Sequence, residues 1–262
     1  MPSTLSVAII TLNEEANLAR TLTSVQFVDE IILVDSNSTD RTTEIARSFN
    51  AKVFVEPWKG FAAQKNSAID KCSSTWVLSI DADEELTPEL QSELRTLLQS
   101  EDTSIEAYRL PLRHVVLHRW IRHGGYYPDM KLRLFRRNDP ASPSPIRFSE
   151  RAVHESIQCS GPIGALEGEF IHHGYPTLET YIDHMNRYST LGAQLLVTKG
   201  RISRNWLAFC TNVVVVPVLT FLWNYLFRLG FLDGREGLLL HLYHSTYISW
   251  KYAKAWNLAR RQ

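Results

Sequence analysis

Two aspartates one residue apart, Asp81 and Asp83, close the apolar run Val77-Leu78-Ser79-Ile80. A buried strand gains little by ending in so much negative charge unless a cation meets it, and hard divalent ions take oxygen ligands of this kind. A second account needs no ligand. Acidic residues also collect in loops and at helix N-termini, and Leu86-Thr87-Pro88-Glu89-Leu90 reads as a helix start with Thr87 as N-cap and Pro88 at N1.

The elements that must position these carboxylates follow from the pattern around them. The first hundred residues alternate short apolar runs with amphipathic ones, the βαβα signature of a mostly parallel sheet covered by helices. Strands are expected at 6–11, 30–35, 52–55 and 76–80. Helices are expected after Asn13, which reads as an N-cap with Glu14 and Glu15 in the first turn, and near 41–49 and 60–71. Thr11, Asp35 and the Asp81 to Asp83 cluster then share the carboxyl edge of one parallel sheet, where open α/β sheets bind ligands.

Beyond Leu98 the texture changes. Arg109, Arg113, His114, His118, Arg119, Arg122 and His123 alternate with apolar residues, as does Lys131-Leu132-Arg133-Leu134-Phe135-Arg136. Half-buried strands with a basic face are expected, either solvated or meeting an anion such as a diphosphate or a phosphorylated acceptor. An amphipathic helix is expected from Leu178 to Val197. From Trp206 to Phe227 the chain carries no charge, with Arg201 and Arg204 before it and Arg228 after it. Asn212, Pro217 and Asn224 interrupt that run, which favours a helix or helical hairpin in a membrane interface; a buried core or dimer helix and a true span are the other accounts.

The chain has 262 residues, and 28 Lys and Arg balance 28 Asp and Glu, so no global basic field argues for nucleic acid. Cys72, Cys159 and Cys210 fit no metal spacing and read as reduced thiols of a cytoplasmic protein. Met1-Pro2-Ser3-Thr4-Leu5-Ser6 shows no signal-peptide pattern.

Thr11-Leu12-Asn13-Glu14-Glu15, Val34-Asp35 through Thr42, Gly60-Phe61-Ala62-Ala63-Gln64-Lys65-Asn66 and Ser79-Ile80-Asp81-Ala82-Asp83, in this order and spacing, resemble the nucleotide-sugar-binding half of inverting glycosyltransferases of family 2, which have the GT-A fold. Gly124-Gly125-Tyr126-Tyr127-Pro128-Asp129, Leu132-Arg133-Leu134-Phe135-Arg136-Arg137, Val153-His154-Glu155, Asn186-Arg187-Tyr188-Ser189 and Gly230-Phe231-Leu232-Asp233-Gly234 are similar to the branch containing lipopolysaccharide-core β-1,4-glucosyltransferases. The resemblance implies that Thr11 and Glu14 lie beside the base, Asp35 on the base or ribose, Lys65 near the nucleotide and Asp81 on the ribose. Asp83 would hold Mg2+ or Mn2+ together with the donor diphosphate, and His172 is a further candidate for metal or diphosphate contact. Glu155 is the first candidate for the base that activates the acceptor hydroxyl, and Asp129 the second. No Gln-x-x-Arg-Trp motif follows, which argues for transfer of a single sugar.

The expected architecture is an α/β GT-A domain over residues 1–175 and a helical, membrane-associating extension over 176–262. The expected reaction is metal-dependent, inverting transfer of one hexose, glucose-like, from a nucleotide sugar to a saccharide or lipid-linked acceptor. It would take place at the inner face of the cell membrane, in cell-envelope glycan or lipopolysaccharide-core synthesis. A non-catalytic sugar-nucleotide-binding module and a sugar nucleotidyltransferase are the alternatives; the latter calls for a Gly-rich phosphate loop after the first strand, where Thr11-Leu12-Asn13-Glu14-Glu15 stands.

Overall fold

Near-continuous apolar runs flanked by turn residues become strands buried on both faces. In the computed structural model, which describes residues 3–100, 104–137, 146–149 and 156–260, β1 (Leu5–Thr11), β2 (Glu30–Asp35) and β4 (Trp76–Asp81) are buried along almost their whole length. With β3 (Lys52–Val55) they form a parallel set in the order β3-β2-β1-β4. The order continues through β8 (Asp129–Arg136), β6 (Ala107–Val116), β12 (Phe170–Tyr175) and β5 (Glu84–Leu86). β8 runs antiparallel to β4 and to β6. Two short strands, β7 (Arg119–Trp120) and β11 (Ile163–Ala165), also pair with β6, and β9 (Arg147–Ser149) with β10 (Ser156–Gln158) forms a separate ribbon.

The residues divide into two compact units, Met1–Leu112 with Asp129–His172, and Arg113–Pro128 with His173–Gln262. In the first, α1 (Leu18–Ser24), α2 (Thr42–Ser48) and α4 (Pro88–Gln99) cover one face of the sheet, burying Leu18, Leu22, Ala46, Leu90 and Leu94. On the other face α3 (Phe61–Asp70) and β9 bury Ala62, Ala68, Ile69 and Phe148. Thr87 caps α4 as expected, its side chain accepting from Leu90 N, with Pro88 in the first turn. The start of β2 is fixed electrostatically: the buried Glu30 carboxylate takes Lys52 Nζ at 2.7 Å, Ser6 Oγ at 2.6 Å and Ser73 N at 2.8 Å. Burial opposes that charge, but these donors outweigh it and hold the carboxyl at about 2.

The first helix begins later than expected. Asn13 does not cap it but adopts φ 56°, and the helix starts at Leu18. The N–H groups of Asn13, Glu14 and Glu15, which a helical first turn would leave open, donate instead to Ser38 Oγ, Thr42 Oγ1 and Asp40 Oδ2 of the loop after β2. Asn13 Oδ1 accepts in return from Thr39 N at 2.8 Å. Two loops satisfying each other's backbone outcompete a local cap.

In the second unit, α5 (Leu178–Thr198) is capped by a Thr177–Thr180 box and lies along the final helix, Gly234–Ala259. Lys254 Nζ ties the two by donating to Asn186 O and Oδ1, Ser189 Oγ and Thr190 Oγ1. Asn212, Pro217 and Asn224 do not break the uncharged run: Trp206–Phe227 is one helix, with π-helical turns at Thr211–Val215 and Trp223–Phe227. A wider turn just ahead of Pro217 accommodates a residue that lacks its N–H. Asn205 caps the helix through Ala208 N, and Asn212 Nδ2 donates to Ser203 Oγ at 3.1 Å. It packs on the final helix, with Phe209 and Trp256 ring centroids 5.0 Å apart. Leu207, Thr211, Val214, Val215, Val218, Leu219, Trp223, Leu226 and Phe227, at helical spacing, form an exposed stripe. At 22 residues the helix is long and apolar enough to cross a membrane, and only 6 % of its apolar window is buried within the chain.

Candidate active site

The carboxyl edge of the parallel strands collects the side chains singled out from the sequence. Thr11 and Asp35 end β1 and β2 in register, and Thr11 Oγ1 donates to Asp35 Oδ1 at 3.0 Å. Asp35 also accepts from Ser38 N at 2.8 Å and Ser38 Oγ at 2.5 Å, and it is 1 % exposed. Its carboxylate therefore shapes the loop that would face a nucleotide.

Asp81, Asp83 and Glu84 sit on the tight turn between β4 and β5. The turn is pinned from three sides: Thr21 Oγ1 donates to Ala82 O at 2.7 Å, Asp81 N donates to Glu84 Oε2 at 2.7 Å, and Arg133 Nη2 bridges Asp81 Oδ2 at 3.0 Å and Glu84 Oε1 at 2.7 Å. Lys65, on α3, approaches Asp81 Oδ1 at 2.8 Å and lies 5.2 Å from the Phe148 ring centroid. Burial would raise the Asp81 carboxyl, but Lys65 and Arg133 hold it well below the usual carboxylate range. Burial pushes Glu84 up to about 7, with Arg133 opposing and Asp81 adding to the shift.

Asp83 Oδ2 lies 3.1 Å from His172 Nε2, on β12, whose backbone pairs His172 with Glu84. Burial works against a charge on this imidazole, yet the bond to Asp83 and the charges of Asp83, Glu84 and Asp81 raise it to about 9. The Glu14 carboxyl is raised by burial, against the bond from Asn17, with Asp83, Asp40 and Asp81 adding repulsion. Glu14 thus belongs to the same acidic pocket.

Asp81 and Glu84 are committed to Lys65 and Arg133, which leaves Asp83, with His172 beside it, as the carboxylate of this turn that could turn to a cation. The Asp83–His172 separation of 3.1 Å is that of a hydrogen-bonded ion pair. Among the described residues no three His, Cys, Asp or Glu groups are placed to hold a metal by themselves. Any ion held here would draw its remaining ligands from substrate phosphate and water, as Mg2+ and Mn2+ do.

The catalytic-base candidates separate. Asp129 opens β8 and pairs with Lys131 Nζ at 3.0 Å; because β8 is antiparallel to β4, its first residue lies toward the same sheet edge as Asp81. Glu155 lies outside the described residues.

Sequence reasoning missed the work of two residues. Arg133 was read as part of a basic face, but it is buried and directed at Asp81 and Glu84. Glu84 carries no expected role of its own in the sequence beyond following Asp83. The signal is its position one residue beyond Asp83 at the start of a run that returns to the apolar Leu86 two residues later, where a charge must find an internal partner. Two further buried polar groups on segments of this edge, Ser36 Oγ and the Gln64 amide, have no hydrogen-bond partner among the described residues.

The Glycosyl transferase family 2 model matches residues 6–156. A lipopolysaccharide core biosynthesis glycosyltransferase, LpsC of Rhizobium meliloti, is 34 % identical over 88 % of this chain and 82 % of its own length. An uncharacterised glycosyltransferase of Rickettsia typhi is 32 % identical over 89 % of this chain and 80 % of its own. Among solved structures, a mannosyltransferase of Pyrobaculum calidifontis in complex with GDP-Man and Mn2+ superposes with a TM-score of 0.56, covering 100 % of this chain and 89 % of that one at 13 % identity, a likeness of fold. The mixed sheet with flanking helices is accordingly GT-A-like, and the chain is a glycosyltransferase that belongs to glycosyl transferase family 2.

Proposed function

We propose that this glycosyltransferase transfers a single hexose, with inversion and with the help of Mg2+ or Mn2+, from a nucleotide sugar to a saccharide or lipid-linked acceptor of the cell envelope. The observation that carries the reading is the Asp81-Ala82-Asp83 turn, braced by Thr21, Glu84 and Arg133, with Asp83 against His172. A bound ion supplies positive charge to the leaving diphosphate. Asp83 would hold that ion, joined by His172 once its imidazole has given up its proton; Asp81 meets the ribose with Lys65 fixing its orientation, and Thr11, Glu14 and Asp35 line the base side. The Ser36 hydroxyl and Gln64 amide, buried without partners among the described residues, support a polar ligand on this edge, since unpartnered buried polar groups are costly. The lipopolysaccharide assignment is supported by the likeness to LpsC.

Residues 1–175 carry catalysis in this reading, and 176–262 carry membrane association from the cytoplasmic side. The exposed stripe of Trp206–Phe227 lies in one leaflet, with Arg201, Arg204 and Arg228 near the headgroups. Glu155 takes the proton of the acceptor hydroxyl, with Asp129 as the competing candidate. Screening nucleotide sugars for Mn2+-dependent hydrolysis and transfer tests the whole reading. A donor should be consumed by the native chain and not by Asp83→Ala; consumption that ignores metal and substitution would overturn it. Glu155→Gln is expected to lower kcat by about 10²–10⁴-fold while donor affinity holds; if Asp129→Asn alone does so, the base is Asp129.

A further inference from the structure

The second unit contains a concentration of positive charge that a chain of balanced composition does not require. The segment 119–125 is bound to the segment 228–236. Gly124 N donates to Arg228 O at 2.9 Å, and Arg122 N and His123 N donate to Asp233 Oδ2 at 3.2 and 2.8 Å. Asp233, 2 % exposed, also fixes the His123 ring through Nδ1 at 2.9 Å. The buried carboxylate thus organises the loop and fixes the half-exposed imidazole through Nδ1. Arg119 faces Glu236 at 3.6 Å.

The guanidinium groups of Arg122 and Arg228 are not neutralised in this way. Arg113 and Arg122 place Cζ 4.0 and 4.5 Å from the centroid of one indole, Trp120. The indole face holds the Arg122 guanidinium in place at the surface. Arg228 lies against the backbone of Gly125, where φ is +86° and a Cβ would fall 2.1 Å from Nη1. Only glycine gives the guanidinium that seat. Arg122 and Arg228 are exposed and carry no ion pair among the described residues. Guanidinium forks with an oriented imidazole are the donor set that binds phosphate oxygens.

We propose that the segments 119–125 and 228–236 form a binding site for a phosphate ester, with Arg122, Arg228 and His123 as its donors. Arg228 directly follows the exposed Phe227 that ends the apolar stripe. The site therefore sits at headgroup depth, a placement that rests on the membrane reading above, whereas phosphate recognition itself does not. The phosphate belongs either to a lipid headgroup or to a free phosphorylated compound.

The test uses the full chain without divalent metal, so that the donor edge does not contribute. Inorganic phosphate is titrated by calorimetry, and phosphatidylcholine vesicles with and without phosphatidic acid are tested by flotation. The double substitution Arg122→Gln/Arg228→Gln should weaken binding by at least about tenfold. Gly125→Ala should weaken it while keeping every charge, because it displaces Arg228. Arg41→Gln/Arg47→Gln, which removes the same two charges from exposed positions at the start and on the length of α2, should leave binding unchanged, with circular dichroism confirming the fold of each variant. Binding of phosphate alone assigns a soluble ligand, and binding only to phosphatidic acid vesicles assigns a headgroup. Binding of neither probe, or a loss shared equally by Arg41→Gln/Arg47→Gln, overturns the site. Failure of the donor screen with phosphate binding intact would instead remove the sugar-transfer reading and leave this one.

Discussion

The two units manage charge in opposite ways. At the sheet edge of the first, Asp81 has Lys65 and Arg133, Glu84 has Arg133, and Asp83 has His172. In the second, Arg122 and Arg228 face outward, beside a helix whose apolar stripe the chain itself does not cover. A paired, buried edge is held in shape before any ligand arrives, which lowers the cost of organising a transition state. An uncompensated surface gains its stabilising contacts only from a partner. The first unit keeps its charges paired within itself, and the second leaves charge and apolar surface open.

The contrast can be broken at its strongest point first. Arg133→Met leaves Glu84 buried without its cation and should destabilise the fold by about 3–5 kcal/mol at pH 8. Urea denaturation should show the loss shrinking toward pH 5, where Glu84, already raised to about 7, takes up a proton and strands no charge. Asp83→Asn should spare stability and lower metal-dependent transfer by about 10²–10³-fold. Unchanged Mn2+ affinity in calorimetry would remove Asp83 from the metal site. On the other side of the comparison, Trp206→Ala with Trp223→Ala should weaken binding to anionic vesicles by about tenfold or more without altering donor hydrolysis; equal flotation of native and variant chains would make the stripe a protein interface. The smallest expected effect tests pairing away from the site. Because Glu30 is depressed to about 2 from the ordinary 4.5 of a glutamate, its contribution is present above about pH 4.5 and is lost as pH falls through 2. Glu30→Gln should cost about 1–2 kcal/mol at neutral pH and flatten the acid limb of the stability profile.

The parallel core was legible because its strands are apolar runs bounded by polar turns, and the structure places Thr11, Asp35 and Asp81 at strand ends where the pattern put them. Local rules failed where distant groups competed. Asn13 has the residue type of a helix cap, but Ser38, Asp40 and Thr42 took the neighbouring N–H groups, and no periodicity encodes a partner more than twenty residues away. Arg133 lies in an alternating strand, so its period showed a face; only the sheet order revealed that the face is inside, opposite Glu84. Pro217 argued for an interrupted helix, and a π-helical turn absorbed it. The residues of segment 113–128 looked continuous with the strands around them, yet they belong to the second unit.

The lacing of the loop after β1 to the loop after β2 has a consequence for how donor preference would change over evolution. Each loop supplies the other's missing hydrogen-bond partners, through Asn13, Glu14 and Glu15 on one side and Ser38, Thr39, Asp40 and Thr42 on the other. A replacement on one side orphans a group on the other, so single steps toward a new base would pass through weakened intermediates. Residues at these positions should be inherited as matched sets, and relatives that exchange one loop should have exchanged both.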